Sequence, residues 1–105
     1  DMLIINGVNV FPSQIEEILM RMPEVGTNYL IVVDKNGALD QVTVKTEINS
    51  EVFSDDARDL NALKARIRDR MKATIFISPN VELHQSNSLP VAEGKAKRVI
   101  DNRKI

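Results

Sequence analysis

Hydrophobic residues recur at helical spacing in two parts of the chain. After Pro12, apolar residues follow one another at intervals of three and four, which is the spacing of one helical face. Pro12 suits the first helical position because its missing N–H would be unpaired there, and Pro23 is expected to end the helix. A second stripe, with Ser54 as its expected N-cap, predicts a longer helix. The two stripes consist of Ile15, Ile18, Leu19 and Met22, and of Leu60, Leu63, Ile67 and Met71.

Four segments have the composition of β-strands, being apolar, β-branched or alternating. The first of them ends at Asn6-Gly7, a pair typical of turns. The second and third flank Asn36-Gly37, whose residues both tolerate the positive φ of a tight hairpin turn. The four segments are residues 2–5, 28–34, 39–48 and 81–84.

The segment 39–48 alternates between apolar and polar residues. Successive side chains of a strand point to opposite faces, so we expect one covered face and one face in contact with solvent. The expected covered face consists of Val42, Val44 and Ile48, and the expected solvent face of Gln41, Thr43, Lys45 and Glu47.

The predicted order of elements is β-α-β-β-α-β. This order matches the ferredoxin-like plan, an α+β fold with both helices on one face of an antiparallel sheet. We expect a single small domain over residues 1–105, because this length allows one hydrophobic core and hardly a second. Its core is expected over 1–84, followed over 85–105 by a lysine-bearing loop, a short helix and a tail.

Composition excludes several classes of function. The 105 residues carry 14 Lys and Arg against 15 Asp and Glu, and a net charge of −1 argues against a dedicated nucleic-acid-binding protein. No apolar run approaches the roughly 18 residues needed to span a bilayer, and no membrane partner is expected. The absence of cysteine excludes disulfides, thiolate zinc sites and a cysteine nucleophile. His84 is the single histidine, so no metal site is expected.

Two segments could carry chemistry. Residues 6–12 place Gly7 in a turn that leads directly to a helix start, where free backbone N–H groups can meet an anion. Residues 94–98 place Lys95 beside a glycine, which suits contact with a phosphate or with developing negative charge. Each segment also has a plain structural interpretation, as a strand-to-helix connector and as a solvated basic tail. The residues alone leave both alternatives open.

Together, the two segments resemble two known motifs at the expected spacing. Residues 1–16, DMLIINGVNVFPSQIE, resemble the segment that follows the hinge in adenylate-forming enzymes of the phenylacetate–CoA ligase type. Residues 88–101, SLPVAEGKAKRVID, resemble the catalytic-lysine motif of the same family. The resemblance covers essentially the whole chain. Because the sequence begins inside an apolar run, at Asp1-Met2, we expect it to be a piece of a longer chain.

The resemblance implies a part of an ATP-dependent acyl-CoA ligase. Such an enzyme activates an aryl acid, here expected to be phenylacetate, as an acyl-adenylate, transfers it to CoA and releases AMP and pyrophosphate. ATP, Mg²⁺ and CoA would serve the full-length enzyme, and none is expected to bind the 105 residues alone, which should be inactive. A large N-terminal domain would hold ATP and the acid, with the hinge just before Asp1. The small domain would rotate between the two half-reactions.

The resemblance also assigns roles to individual residues. Lys95 corresponds to the lysine that contacts the ATP phosphates and the carboxylate during adenylation. Gly7, Val8 and Asn9 would line the path of the CoA pantetheine arm. Arg98 matches the basic residue of the motif and is grouped with CoA binding. The expected site therefore lies on two segments from opposite ends of the chain.

The implied partners are the large N-terminal domain of the same chain, ATP, the aryl acid and CoA, in the cytoplasm; a homodimer is left open. Departures from the family pattern at Asn6, Val91 and Ala92 leave the affinity for CoA open. A second interpretation is a free-standing ferredoxin-like regulatory or ligand-binding module. A third, acylphosphatase-like hydrolysis, would require an arginine in the loop after the first strand, and residues 6–9 contain none.

Overall fold

The computed structural model describes residues 2–49, 57–89 and 98–103. In chain order its elements are β1 (Leu3–Ile5), β2 (Val8–Val10), α1 (Pro12–Met20), β3 (Val25–Asn36), β4 (Leu39–Ile48), α2 (Ala57–Ile75), β5 (Asn80–His84) and β6 (Val99–Asp101). Both predicted helices and all four predicted strands are present. Two further strands, β2 and β6, are not predicted from the sequence. The expected N-cap of the second helix, Ser54, lies outside the described residues.

The main sheet has four strands in the order β5-β4-β3-β6. β3 and β4 form an antiparallel hairpin in which Ile31 lies opposite Val44. β5 runs parallel to β4, and β6 runs parallel to β3. The parallel direction of β5 follows from α2, which connects β4 to β5 as a crossover helix. β1 and β2 form a separate antiparallel pair.

The predicted α+β class is confirmed, but the ferredoxin-like antiparallel sheet is not. In that plan the first strand would belong to the main sheet, whereas β1 pairs with β2 alone. The tight turn at Asn6-Gly7 returns the chain at once, so the backbone groups of β1 find their partners in residues 8–10. The short helix expected in the tail is also absent from residues 98–103, where β6 lies beside β3.

Both hairpins turn through a residue with positive φ. Asn6 has a φ of 47° and Gly7 a φ of 82°, and positive values at both central residues are typical of a type I′ turn. In the β3–β4 hairpin, Asn36 remains in the strand and the central residues are Gly37 and Ala38. Of these two, Gly37 alone has a positive φ, 64°, as in a type II′ turn. The predicted turn is therefore present one residue later.

One buried cluster joins the helices, the main sheet and the β1–β2 hairpin. From the two predicted stripes, Leu19 of α1 and Ile67 of α2 are fully buried in it. Ile5 and Val10 of the hairpin belong to the same cluster, which fixes the hairpin against the rest of the fold. In the described part of the chain, no helix is long and apolar enough to cross a membrane.

The predicted alternation of β4 is confirmed on one face and wrong at one position of the other. Val42, Val44 and Ile48 are buried as expected. Glu47, expected in contact with solvent, is only 4% exposed. The physical reason is that residues 85–89 fold back over this position, and their backbone N–H groups donate to the Glu47 carboxylate.

Candidate functional site

The residues expected to face CoA lie together on the β1–β2 hairpin. Gly7 occupies the turn, and Val8 and Asn9 follow it in β2. Gly7 and Asn9 are exposed, while Val8 packs against the buried cluster. Apart from Asn6, Gly7 and Val8 themselves, no atom of the described residues lies within 4 Å of the position that a Cβ on Gly7 would take. The turn therefore offers an open backbone surface that another molecule can approach closely.

Three hydrogen bonds attach this turn to β4. The Asn6 N–H donates to Asp40 Oδ2 at 2.7 Å, Asn6 Nδ2 donates to the Asp40 backbone O at 2.9 Å, and the Asp40 N–H donates to Asn6 Oδ1 at 2.7 Å. Asparagine is also one of the few residues that tolerate a positive φ. The Asn6 side chain therefore holds the turn in its place.

Arg103 joins the hairpin, β4 and the end of β6. Its guanidinium donates to both Asp101 carboxylate oxygens at 2.9 Å and to the Ile4 backbone O at 2.6 Å. Its Nη1 also lies 3.3 Å from Asp40 Oδ1. The hydrogen bond from the Asn6 N–H lowers the pKa of Asp40. The Arg103 guanidinium lowers it further, but by a smaller amount. The hydrogen bond from Arg103 likewise lowers the pKa of Asp101.

We expect Arg103→Met to weaken the acid dependence of the stability of the 105-residue chain. A carboxyl group whose pKa is lowered by folding adds stability above its unfolded pKa and loses it as the pH falls through the folded value. The pKa values of Asp40 and Asp101 lie below their usual 3.8, so this loss occurs on acidification below that pH. Urea denaturation measures the unfolding free energy at about pH 7 and at about pH 3. The decrease between these two pH values should be smaller for the variant than for the wild type.

Arg21→Met is the matched control for this measurement. Arg21 pairs with Glu17 at 2.6 Å, with both side chains mostly exposed, and such pairs contribute little to stability. The control should keep the wild-type dependence on pH. An Arg103→Met variant that also kept it would show that Arg103 does not couple Asp40 and Asp101 to folding.

A groove of about 300 Å³ lies beside the Asn6-Gly7 turn. Its lining includes Val8 and Asp40, together with Phe76 and Pro79 from the segment after α2. Phe76 is 76% exposed and has a φ of 63°, a conformation that costs about 1–2 kcal/mol for a residue other than glycine. The groove therefore presents an apolar ring and a carboxylate next to the hairpin.

At the other end of β4, Glu47 binds residues 85–89. Its Oε1 accepts the Asn87 N–H at 2.8 Å, and its Oε2 accepts the Leu89 N–H at 2.9 Å. Asn28 Nδ2 lies 3.4 Å from both carboxylate oxygens. Ser86 Oγ adds a hydrogen bond of 2.7 Å to the backbone O of the next β4 residue. Because bonds from N–H groups to a carboxylate are among the stronger ones, the chain before residue 90 is held on β4.

Arg98, which follows the predicted lysine loop, lies against β3. Its backbone O accepts the Ile31 N–H at 2.7 Å, and its Nη1 donates to the Thr27 backbone O at 2.8 Å. Its guanidinium carbon lies 4.7 Å from the centroid of the Tyr29 ring, within the range of a cation–π interaction. The chain is therefore fixed again at residue 98, on the strand adjacent to β4.

The structure brings some expected site residues together and separates others. The three residues of the expected CoA path share the hairpin that Asp40 holds. Arg98 lies instead at Tyr29, which pairs with Thr46 toward the opposite end of the β3–β4 ladder. Outside the described residues lie Lys95, Val91 and Ala92.

The sequence analysis did not identify the contacts of Asp40, Glu47 and Arg103. Asp40 meets a partner 34 positions away, Glu47 partners 40 and 42 positions away, and Arg103 one 99 positions away. No local pattern reveals such pairs. Among residues 2–49, 57–89 and 98–103, no group of three or more His, Cys, Asp or Glu side chains lies close enough together to hold a metal ion.

The chain belongs to the family of AMP-binding enzyme C-terminal domains, whose match covers residues 7–103. Among its relatives, a phenylacetate-coenzyme A ligase from Aromatoleum evansii is 41% identical over 105 residues, which cover 98% of this chain and 24% of that protein. The chain therefore spans about a quarter of the length of the curated relatives it matches.

Solved structures share this fold. A domain of phenylacetate-coenzyme A ligase from Bacteroides vulgatus ATCC 8482 superposes with a TM-score of 0.88 at 39% identity, covering 99% of this chain and 94% of that one. 2-Hydroxyisobutyryl-CoA ligase, in complex with 2-HIB-AMP and CoA in the thioesterification state, superposes with a TM-score of 0.89 at 31% identity, covering 99% and 22%. The resemblance found in the sequence is confirmed. The two alternative interpretations lose the ferredoxin-like topology on which they depended.

Proposed function

We propose that this chain is the mobile C-terminal domain of a cytoplasmic, ATP-dependent acyl-CoA ligase whose substrate is an aryl acid, phenylacetate. The observation that carries the proposal is the family match over residues 7–103, supported by 41% identity with the Aromatoleum evansii ligase. A large N-terminal domain of the same protein would hold ATP and the acid. Residues 1–105 would form one small domain, in which 85–105 carry the lysine loop.

In the first half-reaction, an oxygen of the acid carboxylate attacks the α-phosphorus of ATP. A bond between the carboxylate and the phosphorus forms, and the bond to pyrophosphate breaks. Negative charge develops on the phosphate oxygens, so catalysis depends on positioning and on electrostatic stabilisation. Lys95 would supply the cation, because an ammonium brought into a water-excluded site stabilises such charge far more than it could in water.

In the second half-reaction, the CoA thiol attacks the carbonyl carbon of the acyl-adenylate. A C–S bond forms, AMP leaves, and the thiol proton passes to solvent. The β1–β2 hairpin would face the pantetheine arm, with Gly7 leaving room for it and the exposed amide of Asn9 available for hydrogen bonds. Arg98 has five N–H donors, of which one binds Thr27, so others remain for a CoA phosphate.

Rotation of the domain would let one active site host both reactions, since each needs a different surface at the same place. Closure would also keep water from the hydrolysable adenylate. The hairpin at Asp40 and Arg98 at Tyr29 lie toward opposite ends of the β3–β4 ladder, so CoA would have to extend along the sheet to meet both.

The full-length protein provides the test. With ATP, Mg²⁺, CoA and phenylacetate it should form phenylacetyl-CoA and release AMP and pyrophosphate, as measured by chromatography. The 105-residue chain alone should form none, and acetate in place of phenylacetate should support much less product. Thioester formation by the 105 residues alone would overturn the proposal, as would ATP cleavage by the full-length protein without an acyl-adenylate.

A further inference from the structure

Strand β4 carries a carboxylate near each of its ends. Asp40 is its second residue and Glu47 its ninth, so the two lie about 23 Å apart at the rise of an extended strand. Because side chains alternate and seven positions separate them, the two carboxylates lie on opposite faces of the sheet. Each one binds backbone from a different part of the chain.

Asp40 holds the Asn6-Gly7 turn. Its side chain accepts the Asn6 N–H, and its backbone exchanges two further bonds with the Asn6 side chain. Arg103 binds both Asp40 and the Ile4 backbone O, which supports the same hairpin from its other strand. The position of Gly7 relative to the sheet is therefore set by groups that do not themselves belong to the expected CoA path.

Glu47 holds the segment that precedes the lysine loop. Its two oxygens each accept one backbone N–H, from Asn87 and Leu89. Leu89 itself is buried, and it lies six positions before Lys95 in the sequence. At residue 98, the contacts of Arg98 fix the chain again, on the neighbouring strand. A buried carboxylate thus determines where residues 85–89 leave the sheet.

We propose that Asp40 and Glu47 are positioning residues that serve different half-reactions, Asp40 the transfer to CoA through the β1–β2 turn and Glu47 the adenylation through the segment leading to Lys95. This inference rests on the proposed function. Neither residue touches a reacting atom. Each acts through the backbone that it holds, and a misplacement of about 1 Å in such a group can cost about 100-fold in rate.

Asp40→Asn and Glu47→Gln in the full-length protein test this division. Each replacement keeps the shape of the side chain but removes the charge. In Glu47→Gln the new NH2 group must face the N–H of Asn87 or Leu89, and in Asp40→Asn it must face the Asn6 N–H or the Arg103 guanidinium. Adenylation is followed by exchange of labelled pyrophosphate into ATP with phenylacetate, and transfer is followed from supplied phenylacetyl-adenylate and CoA. Asp40→Asn should slow transfer about tenfold or more and leave adenylation within about twofold, and Glu47→Gln should do the opposite.

The ratio of the two rates, measured on one preparation, does not depend on the fraction of protein that is folded. Asn6→Gly removes two of the three bonds to Asp40 yet tolerates the positive φ, so it should reproduce the Asp40→Asn effect. Ser86→Ala, which loses the bond to Ile48, should shift the ratio in the same direction as Glu47→Gln. Glu82→Gln is the matched control and should change neither rate. Glu82 is an exposed carboxylate on β5, and its charged neighbours are Lys45 and His84.

Equal loss of both rates in the Asp40 and Glu47 variants, or no loss in either, would overturn the inference while leaving the proposed function intact. A wild-type protein that carried out neither half-reaction would instead overturn the proposed function. The crossed pattern, with each variant impairing one step, is the result expected.

Discussion

Lys95→Ala in the full-length protein is expected to reduce the rate of adenylation by about 10²–10³ while sparing transfer to CoA from supplied acyl-adenylate. The first half-reaction builds negative charge around the α-phosphate, and the replacement removes the cation proposed to meet it. In the proposed mechanism the second half-reaction uses the other orientation of the domain, in which this cation would not be required. Pyrophosphate exchange and thioester formation, measured separately, give the two rates.

Lys97→Ala is the matched control, since it removes the same charge two residues away, at a position to which the motif gives no role. It should leave both rates close to those of the wild type. Equal loss of both half-reactions in Lys95→Ala would contradict the role assigned to this lysine. So would a similar loss in Lys97→Ala, because the effect would then reflect general charge rather than a positioned group.

The sequence predicts those elements whose burial follows a regular period, or whose apolar and β-branched residues form a run next to a turn signal. The stripes of α1 and α2 and the alternation of β4 are each long enough to show their spacing, and the structure has all three. β2 and β6 have three residues each, too few to show a period. Both are defined by their backbone partners, β1 and β3, rather than by their own composition. The predicted topology failed for this reason.

Glu47 shows a second limit of prediction from local pattern. A glutamate in the polar register of β4 is expected in solvent, and only the return of residues 85–89 buries it. The family resemblance predicts a further set of site residues, because the motif that carries them can be read from the sequence. These residues are Gly7, Val8, Asn9, Lys95 and Arg98. Asp40 and Arg103 carry no motif, and their roles depend on contacts formed only in the folded chain.

Ile67→Ala should lower the unfolding free energy of the 105-residue chain by about 2–5 kcal/mol. Ile67 lies on α2 and is completely buried between that helix and the rest of the core cluster. The replacement removes apolar contacts and leaves a cavity that the close-packed core fills only in part. Urea denaturation measures the change, and the melting temperature should fall by about 4–8 °C per kcal/mol.

Ile100→Ala is the matched control for this core substitution. Ile100 is 45% exposed on β6, so the same change of side chain removes much less buried surface, and the cost should stay below about 1 kcal/mol. Similar losses in the two variants would contradict the assignment of Ile67 to the core.

The same core variant provides the reference for the two carboxylates of β4. In the full-length protein, Ile67→Ala lowers the folded fraction of this domain without selecting one end of β4, so both half-reactions should fall by the same factor. Their ratio should therefore remain that of the wild type, whereas Asp40→Asn and Glu47→Gln should shift it in opposite directions. If Ile67→Ala shifted the ratio as far as Asp40→Asn or Glu47→Gln does, the assignment of the two carboxylates to separate half-reactions would be wrong, because a substitution that touches neither carboxylate would then have the same effect.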